Sequence, residues 1–432
     1  MNIQQIKEVV YYQKRKFLEE KDLIERDVVL NEEKNIIDSK EIIAISGVRR
    51  CGKSSLMKII AKKIVKQRGI KEENINYINF EDPQLVEFNI KDCEALYQIF
   101  LEEADSEKKL YLFLDEIQEL KGWERWLNKL YEFENVKIFI TGSNSSILSS
   151  EISSLLTGRN RVIYLYPFSF KEFLVMKNIF PDNKKQLMPH EKSKIRNALD
   201  KYFQFGGFPE ALKNKDTEIL KSYYNDIIYK DIIGRNLARK KRELMELGLY
   251  LASNPGRILS TKKTQEMIGI KSHITVKNYL DILESAYLFF KCMLFDYSIK
   301  KQIYNPPKVY MIDTAMSSAA GFHSSSNFGW AYENIVYLEL KRRGFNPYYW
   351  KSASGKEVDF VVRRGTQIEQ AIQVCFYLND SKTKQRELRA LIEAKKELRA
   401  GNLLIITADE EKIEKIDNII IVILPLWKWL LP

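Results

Sequence analysis

From about residue 41 to 165 the chain alternates short, mainly apolar runs with longer stretches whose apolar positions recur every three or four residues. EIIAIS, INYINF, LYLFLDE and VKIFITG have the length of strands, and the stretches between them have the period of helices. Strands that are apolar on both faces need cover on both faces. The pattern therefore predicts a parallel α/β sheet with helices packed on each side. Residues 1–40 read as a charged, helical lead-in. Residues 166–240 read as helical with a break at FGGFPEA, and 241–300 as a small helical module that ends in a strand. IYNPPK is a Pro-rich connection, and a second α/β pattern begins at about 328. The C-terminal run IIIVILPLWKWLLP is shorter than a membrane span and is broken by Pro425 and Lys428, so it reads as a buried strand leading into a short helix. Neither repeats nor low-complexity tracts occur. The expected divisions are 1–165, 166–240, 241–310 and 311–432.

Composition narrows the class. A chain of 432 residues is too long for one ordinary core. With 45% hydrophobic and 12% aromatic residues, well-packed cores are expected and bulk disorder is not. The four cysteines stand apart at 51, 93, 292 and 375, and there are three histidines, which argues against a zinc site or a disulfide framework and fits a reducing, cytoplasmic setting. The opening MNIQQIKEVVYYQKRKFLEE is charged throughout, unlike a signal peptide. A net charge of +11 and a pI near 9.1 suit a polyanionic partner such as DNA, and equally suit Lys-rich solvated helix faces.

Chemistry enters at GVRRCGKS, residues 47–54, which follows the strand IIAIS and opens a helix. The spacing is that of a P-loop, G-x-x-x-x-G-K-[ST]. Gly47 and Gly52 let the backbone of Val48, Arg49, Arg50 and Cys51 wrap phosphates, and the helix start at Ser54 and Ser55 adds positive potential. Lys53 is placed for the β- and γ-phosphates of ATP and Ser54 for Mg²⁺. The Cys51 side chain need not touch phosphate. In KKLYLFLDEIQEL an apolar strand carries Asp115 and Glu116 at its C-terminal end, where open parallel sheets bind ligands. Asp115 is expected to hold Mg²⁺ through water, and Glu116 to orient and activate the attacking water. A third strand, VKIFITGSNSS, offers Ser143 or Asn144 to the γ-phosphate, or ends in simple turn chemistry. Arg159 and Arg161 are candidates for an arginine acting on developing phosphoryl charge, from this chain or a neighbouring subunit, or else for pairing with surface acids.

The P-loop, the Asp-Glu strand and the polar third strand resemble an AAA+ ATPase. GVRRCGKSSLM, LDEIQELKGWERWLNKLYE, ITGSNSSIL, LTGR and PFSFKEF together resemble one prokaryotic branch, in which an ATPase domain of the AAA_14 type precedes a domain of unknown function, DUF4143. FGGFPEAL, YYNDIIYKDII, KSHITVKNYLDILESAYLFF, VYMIDTAM, YENIVYLEL and KEVDFVV extend the resemblance over nearly the whole chain.

Between the α/β parts, GRILSTKKTQEMIGIKSHITVKNYLDILESAYLFFKC reads like a winged helix. Ser260 and Ser272 are candidate N-caps. Ile274, Tyr279, Leu280 and Leu283 are expected in its core. Lys271, His273 and Lys277 are expected on an exposed face that suits a DNA groove or is an ordinary solvated surface. Further on, GWAYENIVYLELKRRG, KEVDFVVRRG and AIQVCFYL resemble the core of restriction-endonuclease-like PD-(D/E)xK proteins. The resemblance implies a Mg²⁺ site at Glu333, Asp359 and Gln373 with a lysine two residues beyond the last. Cys375 stands there instead, and a mostly protonated thiol does not replace an ammonium. Lys351, Lys356 or Lys384 could substitute.

The expected protein is thus α/β: a P-loop AAA+ parallel-sheet domain, a winged-helix-like middle and a PD-(D/E)xK-like C-terminal domain without nuclease activity. The function expected is Mg²⁺-dependent ATP hydrolysis coupled to DNA, away from membranes. An ATP-regulated nuclease, a scaffold ATPase with a protein partner and a homo-oligomer remain open.

Overall fold

A computed structural model describes residues 1–431 apart from 106, 144–157, 181–186, 236, 239 and 324–327. The chain forms two compact units, Met1–Tyr166 and Pro167–Pro432.

In the first unit the anticipated strands form as β1 (Ile42–Ser46), β2 (Ile75–Asn79), β3 (Leu110–Asp115) and β4 (Val136–Gly142), joined by β5 (Asn160–Tyr164). All pair in parallel, in the order β2-β3-β4-β1-β5. Every residue of β1 and β3 is buried, as an interior parallel sheet requires. The helices are α1 (Ile3–Glu19), α2 (Asp27–Ile37), α3 (Lys53–Arg68), α4 (Cys93–Glu102) and α5 (Trp123–Phe133). The charged N-terminal segment is more than a lead-in. Asn2 and Gln5 form a capping box that starts α1, and Ile6, Val9, Val10 and Phe17 bury one stripe of it. Phe17 stacks on Tyr77 of β2 with ring centroids 4.1 Å apart.

The second unit opens with α6 (Phe170–Met176), α7 (Pro189–Phe205), α8 (Pro209–Asn214) and α9 (Glu218–Asp226), the last continuing into a π-helical stretch, Ile227–Ile233. Next come α10 (Lys241–Ser253), α11 (Thr261–Ile268) and α12 (His273–Ser285), followed by the antiparallel pair β6 (Phe289–Cys292) and β7 (Lys308–Met311) with α13 (Ile299–Tyr304) between them. β7 therefore crosses the expected division at residue 310. Ser260 and Ser272 cap their helices through Lys263 N and Ile274 N. The core of α12 is Val276, Tyr279, Leu280 and Leu283, an i, i+3, i+4, i+7 stripe. Ile274 was expected there but is 58% exposed. Two residues before Val276, it is turned about 200° around the helix, onto the side of exposed His273 and Lys277.

Last come α14 (Thr314–Ala320), α15 (Gly329–Arg342), α16 (Ser381–Leu398), α17 (Leu426–Trp429) and a six-stranded mixed sheet. Its strands are β8 (Tyr348–Lys351), β9 (Glu357–Arg364), β10 (Gln367–Val374), β11 (Asn402–Thr407), β12 (Lys412–Ile416) and β13 (Ile419–Pro425), in the order β12-β13-β11-β10-β9-β8. The apolar C-terminal run is β13 followed by α17, as its pattern indicated.

FGGFPEA and VYMIDTAM meet here. Gly207 N donates to Asp313 Oδ2 at 2.7 Å, and Asp313 caps α14 by accepting from Met316 N at 2.9 Å. Burial pushes the Asp313 carboxyl up to about 6 against these hydrogen bonds. Gly206 has φ +72°, and a Cβ on it would lie 2.2 Å from Asp313 Oδ1. Gly206→Ala should therefore destabilise the protein by about 2–4 kcal/mol, the sum of left-handed strain and a displaced cap. Urea unfolding checks this. A loss under about 0.5 kcal/mol, the range of an inert surface change, would show that the close approach is dispensable.

Candidate functional site

β1 ends at Ser46, and the chain turns over residues 47–52 into α3. β5 leaves the sheet beside this turn, with Leu165 N donating to Ser46 O at 2.7 Å. A Cβ on Gly47 would come within 2.1 Å of Leu165 O, so only glycine lets the loop pass. Arg50 (φ +69°) and Gly52 (φ +101°) make the left-handed bends. Val48 and Cys51 are fully buried. Burial raises the Cys51 thiol pKa, so the sulfur is a packing group, in line with the passive role expected of it. Arg49 Nη1 is 2.9 Å from Glu81 Oε1. The Lys53 ammonium donates to Gly47 O at 3.2 Å and Val48 O at 3.4 Å and lies 3.6 Å from Glu116 Oε1. Burial pulls its pKa down, but the nearby carboxylates, Glu116 foremost, outweigh burial and hold it above the ordinary lysine value.

Asp115 ends β3, one strand away from β1 across β4. It is 1% exposed and accepts from Tyr77 Oη at 2.8 Å, from Thr141 Oγ1 and from Ser54. Burial first and Glu116 second still raise its pKa. Glu116 sits in a left-handed conformation (φ +50°), its N–H bound to Thr141 Oγ1 at 2.9 Å and its Oε2 taken by the Gln118 amide. Asp115 and Glu116 thus lie beside the Lys53 ammonium at one end of the sheet, a donor set that suits a divalent cation. Ser143 Oγ, at the end of β4, is buried and has no hydrogen-bond partner among the described residues. Its orphaned hydroxyl and the glycine cradle fit a phosphate-bearing ligand with its Mg²⁺.

Asn144 lies outside the described residues. Arg159 needs correction as a catalytic group of its own chain. Its carbonyl accepts from Ile42 N, so it stands at the start of β1, roughly 15 Å of strand from the P-loop end of the sheet. Its guanidinium pairs with Glu132 at 2.5 Å and Asn128 at 3.1 Å on α5, while Arg161 pairs with Glu41 at 3.1 Å. Both arginines therefore meet surface acids, one of the outcomes the sequence left open.

Arg26, absent from the sequence reading, braces the loop. Just 4% exposed, it donates to Cys51 O at 3.1 Å and to Tyr166 O at 2.6 Å. The one signal in the sequence is an arginine between two amphipathic helices.

In the second unit, Glu333 on α15, Asp359 on β9 and Gln373 on β10 do come together. They line a cavity of about 630 Å³ with Gly256, Arg257 and Trp330 among their neighbours. The amine in this cluster is none of the three substitutes considered. Lys356 pairs with Glu393, Lys384 with Glu414 at 2.7 Å, and Lys351 reaches Glu357 at 3.2 Å on the rim. Lys308 of β7 holds the centre, with Nζ 2.9 Å from Glu333 Oε1, 2.8 Å from Glu357 Oε1 and 3.0 Å from Asp359 Oδ1. Burial works to lower its pKa, but the three carboxylates raise it well above the ordinary value. Burial also pushes Glu333 up to about 7 against the pull of Lys308. Cys375 lies just past β10, its thiol donating to Tyr377 O at 3.1 Å and pushed by burial up to about 11. Lys308 escaped notice because it follows PP in a segment that read as a connection.

Among known proteins, the AAA domain family (AAA_14) matches residues 39–174, and two domains of unknown function, DUF8612 and DUF4143, match 196–326 and 328–429. An uncharacterized protein of Methanocaldococcus jannaschii is 36% identical over 94% of this chain and 91% of its own. One of Haemophilus influenzae is 34% identical over 84% of this chain and 89% of its own. Solved structures are more distant. The Aeropyrum pernix Orc1 protein in complex with DNA is 13% identical, with a TM-score of 0.33 over 71% of this chain and 95% of that one. Among the described residues, no helix is long and apolar enough to cross a membrane.

Proposed function

The chain belongs to the prokaryotic family that joins an AAA_14 domain to DUF8612 and DUF4143 domains, and from that premise we propose that it is a Mg²⁺-dependent ATPase whose cycle acts on, or answers to, DNA. The observation that carries the ATPase reading is the meeting of Lys53, Asp115 and Glu116 at one end of the sheet, beside the glycine loop. Backbone N–H groups of residues 47–54 cradle the phosphates. Lys53 exchanges the Gly47 and Val48 carbonyls for phosphate oxygens. Ser54, and Asp115 through water, would hold Mg²⁺, which would supply positive charge against the phosphates. Glu116 orients a water and takes its proton. Asn144 and Ser143 are assigned to the γ-phosphate side. Arg159, if it serves as an arginine finger, serves a neighbouring subunit's nucleotide.

Support for DNA is chemical: a net charge of +11, and the exposed Lys271, His273 and Lys277 at the start of α12 in a winged-helix-like module of residues 241–310. The protein is assigned to the cytoplasm. The test is phosphate release from MgATP at low salt, with and without duplex DNA. The expected result is stimulation that fades steeply as salt rises, because phosphate contacts release counterions. Hydrolysis indifferent to DNA, with no DNA binding at low salt, would transfer the role to a protein partner. No phosphate release under any condition would remove the ATPase reading itself.

A further inference from the structure

A carboxylate centre of the nuclease-like outline is expected to take a divalent metal, and the residues here do not fit one. The three ammonium protons of Lys308 match the three carboxylates around it, all within 3.0 Å. Further partners engage Asp359 Oδ2, Glu357 Oε2 and Glu333 Oε1. Asp359 Oδ2 accepts from Val374 N at 3.0 Å, Glu357 Oε2 pairs with Lys351 at 3.2 Å, and Glu333 Oε1 also takes the Tyr310 hydroxyl at 2.6 Å. Glu333 Oε2 lies toward Gly256, where an added Cβ would stand 3.1 Å from it. Gln373 is turned away from metal duty: its Oε1 accepts from Asp359 N at 3.2 Å, and its Nε2 donates to Glu387. Among the described residues no group of three or more His, Cys, Asp or Glu side chains is arranged to hold a metal ion.

Lys308 is also fixed in place. Its side chain is 4% exposed, its backbone pairs with Cys292 across β6/β7 and bridges to Ile258, and Tyr349 Oη holds the preceding Pro306 O at 2.7 Å. A divalent ion among these carboxylates would sit against a buried ammonium.

We propose that Lys308 is the resident cation of the Glu333–Glu357–Asp359 centre, standing where a divalent metal would bind and closing the C-terminal domain to metal-dependent cleavage. The segment that supplies it, β7, lies outside the part of the chain matched by DUF4143, so the closure is made by the neighbouring DUF8612 segment. Lys308 also explains how the fold tolerates Cys375. The positive charge missing from that strand comes in from β7, and it comes as a permanent plug instead of a partner to a metal. This deepens the reading of an inactive nuclease-like domain and is independent of the ATPase reading, which phosphate release decides.

The experiment counts Mn²⁺ per full-length chain without nucleotide, by electron paramagnetic resonance of free Mn²⁺. Ser54 and Asp115 are unchanged in every protein compared, so ions at the P-loop cancel. Wild type, Asp359→Asn and Glu333→Gln should bind equal numbers. Lys308→Met should bind one more, and Lys308→Met/Asp359→Asn should lose it again. A Mn²⁺ present in wild type and lost in Asp359→Asn or Glu333→Gln would overturn the proposal, as would a folded Lys308→Met with no added ion. If Lys308→Met does not fold, the first three proteins still decide the question.

Discussion

Lys53→Ala should weaken ATP binding by roughly a hundredfold. A hydrogen bond to a charged group contributes about 1.5–3 kcal/mol, and Lys53 provides the ammonium at the floor of the cradle. Its present partners, the carbonyls of Gly47 and Val48, are neutral acceptors, weaker than charged phosphate oxygens. The variant also strips the positive charge from beside Glu116 and Asp115, so the nucleotide-free form should lose stability as well. Lys53→Met retains the apolar stem, so it isolates loss of the ammonium from loss of side-chain packing. Titration with a fluorescent ATP analogue reads the affinity, and circular dichroism confirms the fold. If both variants bind as wild type does, the phosphates lie elsewhere.

Glu116→Gln should leave ATP binding intact and slow hydrolysis by about 10²–10⁴-fold, the usual contribution of a positioned general base. Geometry favours this separation. The Glu116 backbone is locked in a left-handed conformation by Thr141 Oγ1, and glutamine preserves the shape and the Gln118 contact. The capacity to take a proton disappears, together with the negative charge beside Lys53. Single-turnover phosphate release measures the rate with nucleotide already bound. Wild-type turnover would falsify the assignment of Glu116 and direct attention to Asp115, whose raised pKa comes from burial first.

Both variants test positions that were legible in the sequence, for a physical reason. A phosphate cradle needs its glycines, lysine and hydroxyl within eight consecutive residues, and β1, β3 and β4 are apolar on both faces. Local spacing therefore carries nearly the whole argument. What escaped depends on contacts between distant segments. Lys308 reaches Asp359 across 51 positions, and Arg26 reaches Cys51 across 25. Neither contact leaves a local pattern. Arg159 shows a second limit: residue type suggested a catalytic arginine, whereas the strand end it occupies depends on the register of β5 against β1. Ile274 shows a third, since an apolar residue in the first turn of a helix can face outward while the true stripe begins at Val276.

The Arg26 brace bears on how portable the nucleotide-binding part is. The family match begins at residue 39, which invites the view that everything upstream is removable. Yet the carbonyls of Cys51 and Tyr166 are tied together by a guanidinium that precedes that start, and α1 covers β2 through Phe17 on Tyr77. A shortened chain cut at the match would retain every phosphate-facing residue while losing the strut that joins the loop to the strand exit beside it. The smallest transplantable unit is therefore longer than its signature motifs, and grafts or domain exchanges in this family should carry the two N-terminal helices with them.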